Sequence, residues 1–102
     1  MYQLTAIYAH PEDPEAFLDH YRTKHAPLAL DLPKCTSFSW QVCETADGSR
    51  PPNFVVAMVR WDSKDDALAA LGSAQGQAAL ADLANFAGAG VDVDLGEVQQ
   101  PS

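Results

Sequence analysis

The stretch NFVVAMVRW, residues Asn53 to Trp61, constrains this chain more than any other. In an extended strand side chains alternate between faces, so Phe54, Val56 and Met58 point one way while Val55, Ala57, Val59 and Trp61 point the other. Both sets are apolar, and a strand of this kind needs cover on both faces. With 102 residues the chain suffices for one compact domain, 1–102, and is too short for two ordinary ones. Its other segments supply helices for one face only. The bare face would be an association surface in water, and a second copy of the chain is the simplest cover. The sequence therefore predicts a homodimer with sheets packed face to face, a heterologous partner being the alternative.

The elements around that strand are legible from their punctuation. YQLTAIYA, residues Tyr2 to Ala9, is a first strand stopped by Pro11. Asp13 offers an N-cap, Pro14 suits the first helical position, and Glu15 favours the positive helix end. The helix is expected to run from about Pro14 to Lys24 or His25, because Pro27 disfavours helical dihedrals at Ala26, with PLALDL available for one more turn before Pro33. In the second strand Phe38, Trp40 and Val42 oppose Ser37, Ser39 and Gln41. Ser63 with Asp66 resembles a capping box, opening a helix that carries Ala67, Leu68 and Leu71 inward. Gly72 interrupts it, Ser73 caps a further helix containing Leu80 and Leu83, and Gly88 and Gly90 precede VDVDLGEV. The order βαββαβ predicts an α+β, ferredoxin-like sandwich with helices on one face of an antiparallel sheet.

Composition removes several classes of function. Six basic against fourteen acidic residues give a formal charge of -8, which repels phosphate backbones and anionic lipid, and no basic stripe overrides it. Neither nucleic acid nor membrane is an expected partner. No segment approaches the roughly 20 apolar residues of a membrane helix, and Met1 leads into a strand without signal-peptide regions, so the expectation is a cytoplasmic protein. Cys35 and Cys43 bracket CTSFSWQVC, whose ends lie about 26 Å apart at ~3.3 Å per residue. A disulfide spans roughly 7 Å, so the thiols are expected to be free, as in a reducing compartment. Without CxxC or a Cys/His cluster, no zinc site is expected.

The chemistry gathers in HYRTKHAPLALDLP, residues His20 to Pro33. Phe17, Tyr21 and His25, spaced by four, share the inward stripe of the first helix, whereas His20 is rotated about 100° from Tyr21 and pairs with Lys24 as solvated surface. At a helix C-terminus the macrodipole favours charged imidazole, and an ordinary pKa of about 6.5 makes His25 an acid, a base or a hydrogen-bond donor. The alternative is that His25 caps the last carbonyls of its helix and Tyr21 only packs. No metal is expected, since positions 20 and 25 diverge around the helix and His10 lies in a loop. Asp92 and Asp94 read as a solvated face, and Asp47-Gly48-Ser49 as a turn too poor in glycine to cradle phosphate.

The run PEDPEAFLDHYRTKHAPLALDLP, followed by SAQGQAALADLANF, resembles the EthD family, named for a protein encoded with an ethyl tert-butyl ether degradation system. The resemblance covers nearly the whole chain and rests on Pro14, Phe17, Tyr21, His25, Pro27, Leu28, Leu32 and Pro33, then Gly76, Asp82 and Phe86. It implies a dimeric α+β barrel with a pocket between sheet and helices. Most members have no established activity, while some relatives in polyketide pathways are decarboxylases or other cofactor-independent tailoring enzymes, with a histidine matching His25 as acid or base. The glycine usual after the Leu-Pro pair is Lys34 here, which bears on the loop at the pocket rim. On this reading Tyr8, Phe38, Trp40, Val56 and Met58 line a pocket for a small apolar metabolite, His25 moves a proton and Tyr21 bonds a carbonyl or enolate oxygen. Decarboxylation, enolisation or dehydration would then proceed without cofactor. A binding or accessory protein of an oxygenase system would use the same pocket without turnover.

Overall fold

The computed structural model describes residues 1–101, in which four strands form one antiparallel sheet in the order β2-β3-β1-β4. The strands are β1 (Tyr2–Tyr8), β2 (Ser37–Val42), β3 (Val55–Trp61) and β4 (Val91–Glu97). Helices α1 (Pro14–His20), α2 (Ala26–Leu30), α3 (Lys64–Gly72) and α4 (Ala74–Phe86) lie against one face, which is the ferredoxin-like arrangement. Each helix that starts from a loop does so at the cap its sequence offers. The Asp13 carboxylate accepts from Ala16 N, the Ser63 hydroxyl from Asp66 N and the Ser73 hydroxyl from Gly76 N, each at 3.1 Å.

The first helix departs from expectation. Instead of ending at Lys24 or His25 it continues to Leu30 through a π-helical turn, Tyr21–His25. Pro27 cannot donate a backbone bond, and in an unbroken α-helix its ring would crowd the Thr23 carbonyl. The widened turn relieves this: Ala26 N–H bonds Tyr21 O, five residues back, and Pro27 enters α2 in its first turn, where no N–H is required.

The two-faced reading of β3 holds from Val55 to Trp61 and its faces are now assigned, but Phe54, which precedes the strand, leaves the face of Val56 and Met58 and packs on Phe17 in the helix-side core, ring centroids 5.2 Å apart. Val55, Ala57, Val59 and Trp61 are buried under the helices, with Trp61 Nε1 donating to Pro33 O at 2.9 Å. Val56 and Met58 occupy the opposite, outer face, where Ile7 stands across from Val56 and Thr5 across from Met58. The apolar strip is narrow, because β2 contributes Ser39 and Gln41 beside it and β4 contributes Asp92 and Asp94. Leu68 also differs from expectation: α3 buries Ala67 and Ala70 and leaves Leu68 47% exposed. Cys35 and Cys43 are free thiols. Lys34 takes the left-handed backbone conformation, φ 58°, that a glycine would supply, so the turn after Pro33 is retained at a cost of about 1–2 kcal/mol. Its ammonium lies 3.6 Å from Asp66 Oδ1.

Gly76, in the first turn of α4, is required by a close approach. A Cβ there would overlap the carbonyl oxygens of Ala70 and Leu71. Glycine to alanine inside a helix ordinarily stabilises by about 1 kcal/mol. Here the neighbours are backbone atoms that cannot rotate away, so Gly76→Ala is expected to destabilise by about 1–3 kcal/mol, measured by urea unfolding. A gain in stability would show that α3 and α4 separate freely.

Candidate functional site

His20 and His25 would point about 140° apart on an α-helix. The π-turn cancels that divergence, because an i→i+5 repeat brings a residue over the one five earlier. Both imidazoles reach Asp82 on α4. His25 Nδ1 is 2.9 Å from Oδ2, and His20 Nε2 is 2.9 Å from Oδ1 and 3.1 Å from Oδ2. Asn85 Nδ2 donates to Oδ1 at 3.0 Å. Asp82 and His25 are 8% and 7% exposed, a depth at which a carboxylate must be well bonded. An ionised carboxylate only accepts, so it fixes His25 as the Nδ1–H tautomer with the lone pair on Nε2.

Three expectations are corrected by this geometry. His20 is not solvated surface but is held by Asp82 and stacked on Phe86, ring centroids 5.1 Å apart. His25 does not cap its own helix, which continues past it. The divergence of positions 20 and 25 disappears in the π-turn, although the two imidazoles are strung along one carboxylate rather than converging on a common point. Among the described residues no His/Cys/Asp/Glu group has the geometry to hold a metal ion. Asp82 is the residue that spacing within the first helix could not reveal. Its signal is that it is the one charged residue of α4, set between Leu80 and Leu83, and it stands among the residues that carry the family resemblance.

His25 also lines a partly open cavity of about 60 Å³ between sheet and helices. Tyr8, Tyr21 and Phe38 share that lining. Trp40 does not: it packs behind Tyr21, ring centroids 4.7 Å apart, with the Arg22 guanidinium 5.7 Å from its own ring. Val56 and Met58 lie on the far face of the sheet, and their strand neighbours Ala57 and Val59 line the cavity instead. The strand period of two forces this exchange, since one face of β3 cannot serve both helices and outer surface. Leu80 and Val93 line the cavity while remaining 46% and 45% exposed, so its entrance is apolar. Among the described residues no Lys, Arg, Asp or Glu side chain contributes to the lining.

Burial dominates the electrostatics. It pushes the Tyr8 phenol up to about 12 and Tyr21 higher still, so both hydroxyls remain neutral donors. Their rings meet edge to face, centroids 5.7 Å apart. Burial lowers His25 below the usual imidazole value, partly offset by Asp82. The helix-end argument for a charged His25 therefore fails, both because the helix does not end there and because desolvation is stronger. Burial alone would raise Asp82, but the hydrogen bonds from Asn85, His20 and His25 outweigh it and hold the carboxyl below its ordinary range.

The lowered His25 makes stability depend on pH in a defined direction. As pH falls through about 6.5 the unfolded chain takes up a proton that folded His25 refuses, so stability drops until the lower folded pKa is passed. Melting temperature is expected to fall between pH 7 and pH 5 more steeply in the wild type than in His25→Asn. Each kcal/mol lost lowers it by roughly 4–8 °C. Equal slopes would mean that His25 titrates as it does in the unfolded chain.

Fold and site together define a ferredoxin-like α+β protein with a histidine–carboxylate pair buried between sheet and helices. A family model described as the EthD domain matches residues 9–90, and the chain belongs to the EthD family. It is 43% identical over 91 residues to an uncharacterised 11.0 kDa protein from the thcB-thcC intergenic region of Rhodococcus erythropolis, covering 89% of this chain and 88% of that protein. The crystal structure of an EthD family protein from Bacillus halodurans superposes with a TM-score of 0.91 at 26% identity, over 97% of this chain and 99% of that one. A dimeric ferredoxin-like protein of unknown function from Thermobifida fusca shares the fold at TM-score 0.68 and 14% identity, over 95% and 90% of the two chains. So does SnoaB, a cofactor-independent oxygenase from Streptomyces nogalater, at TM-score 0.67 and 16% identity, over 99% and 96%.

Proposed function

We propose that this protein is a cofactor-independent acid/base enzyme acting on a small apolar metabolite, with His25 moving the proton. The observation that carries the reading is the buried neutral imidazole, backed on Nδ1 by Asp82 and lining an apolar cavity. His25 Nε2 takes a proton from carbon beside a carbonyl. The released electron pair settles on oxygen, where the Tyr21 hydroxyl bonds the enolate, and Asp82 stabilises the new imidazolium. Return of the proton to the same carbon exchanges its hydrogen, and return to another carbon isomerises the carbonyl compound; in dehydration the imidazolium instead gives the proton to the departing hydroxyl, which leaves as water. Decarboxylation fits less well, because a substrate carboxylate would enter a lining without a cation. The cavity, about 60 Å³, falls far below the roughly 300–1,000 Å³ of a drug-sized site, so the reactive end enters while the remainder rests between Leu80 and Val93. SnoaB lends a precedent for chemistry without cofactor in this fold.

The same chain is proposed to act as a homodimer through the outer sheet face. The apolar strip of Ile7, Val56 and Met58 with its polar border supports this, and the Thermobifida fusca protein of the same fold is a dimer.

Small neutral ketones, each paired with a counterpart that carries a carboxylate, provide the test. Thermal shift identifies binders, and NMR then follows exchange of their enolisable hydrogens for deuterium. Neutral members are expected to bind and exchange. Binding without exchange across the set would sink the enzyme reading in favour of a binding or accessory protein.

A further inference from the structure

Asp82 serves three donors, and only one of them belongs to the cavity. His20 faces the opposite way. It lines a surface groove with Glu12, Asp13, Phe17, Asn85 and Phe86, and its side chain is 26% exposed. Phe86 stacks on His20 and also packs against His25, centroids 4.7 Å apart. A solvent-facing imidazole and a cavity-facing imidazole thus share one buried carboxylate and one aromatic wall.

We propose that His20 is a positioning residue for His25: it holds the Asp82 carboxylate in line with His25 Nδ1, and on taking a proton from the groove it claims that carboxylate and makes His25 a poorer base. The inference rests on the acid/base reading of the cavity and names what regulates it. While His20 is neutral, its Nε2–H steadies Asp82 without cancelling its charge, and an imidazolium formed at His25 is paired. Once His20 is itself an imidazolium, the carboxylate is matched at 2.9 Å by the other partner and a like charge stands on the far side of it. The groups around His20 are Asp82 and Asn85 from α4, Glu12 and Asp13 from the segment before α1, and His25 across the shared carboxylate. Of these only Asp82 bonds both imidazoles, so it couples them. The π-turn is what brings the two to one carboxylate.

Proton and nitrogen-15 NMR titration of the full chain, without ligand, tests this. In the wild type His25 is expected as the Nδ1–H tautomer, with a titration curve showing a second inflection at the pH where His20 takes its proton. In His20→Gln, whose amide keeps a donor where Nε2 stood, that inflection should vanish and the His25 midpoint rise by about one pH unit. A single-step wild-type curve, or an unchanged midpoint in the variant, overturns the proposal. Should the variant fail to fold, the wild-type curve decides alone. Coupled titration in a protein that exchanges no ligand would leave the role of His20 standing and remove the enzymatic reading, so the two failures are distinct.

Discussion

Replacing His25 with asparagine is expected to lower the rate of protein-catalysed deuterium exchange by about 10²- to 10⁴-fold while leaving ligand binding nearly intact. Asparagine is the informative choice because its amide nitrogen overlies Nδ1, the atom that meets Asp82 at 2.9 Å. The donor to the carboxylate is kept, the buried charge stays satisfied, and only the lone pair at Nε2 is removed. A loss confined to binding would instead assign His25 to ligand recognition. Wild-type exchange in the variant would eliminate it as the proton carrier. The wild-type rate should also fall on the acid side as His25 takes up a proton and loses its lone pair, at a pH below the ordinary imidazole value because burial depresses the group. That acid limb disappears with the residue.

Val56→Glu is expected to convert the proposed dimer to monomer or aggregate. Val55 is wholly buried under the helices, whereas Val56 lies on the outer face, so only the second substitution probes association without breaking the core. An uncompensated charge in a sealed interface costs about 3–5 kcal/mol, which weakens association roughly 150- to 4,000-fold. Sedimentation velocity across a concentration series measures this. Gln41→Glu, at the exposed border beside Val56, should leave association close to the wild type. Wild-type protein that sediments as a monomer at micromolar concentration would overturn the assigned interface, and with it the explanation for the apolar outer strip.

Local signals carried much of the fold into the sequence. Asp13 before Pro14, Ser63 before a run of alanine and leucine, and Ser73 after Gly72 each mark a helix start, since a side-chain oxygen must meet an amide that has no partner in the helix. Alternation in β3 is equally local, and it required cover on two sides. The cavity is legible in part: Tyr8, Tyr21, His25 and Phe38 line it, while Trp40 packs behind Tyr21 and Val56 and Met58 stand on the outer face of the sheet. Alternation states that two faces exist without saying which one meets the helices. That choice depends on the handedness of the crossovers and on the register with β1.

The order of elements, their caps and the placement of Tyr21 and His25 on the first helix were determined by the sequence alone, because each depends on residues within one or two turns of one another. The π-turn was not, since Pro27 presented only an obstacle and the chain had several ways around it. The shared carboxylate was further out of reach. Asp82 lies 62 positions from His20 and 57 from His25, and no local periodicity connects residues so far apart. Only when α4 packs against the widened turn do a solvated-looking histidine, a capping-looking histidine and a lone acid become one network around a buried carboxylate, held because neither Asp82 nor His25 can be left unpaired away from water.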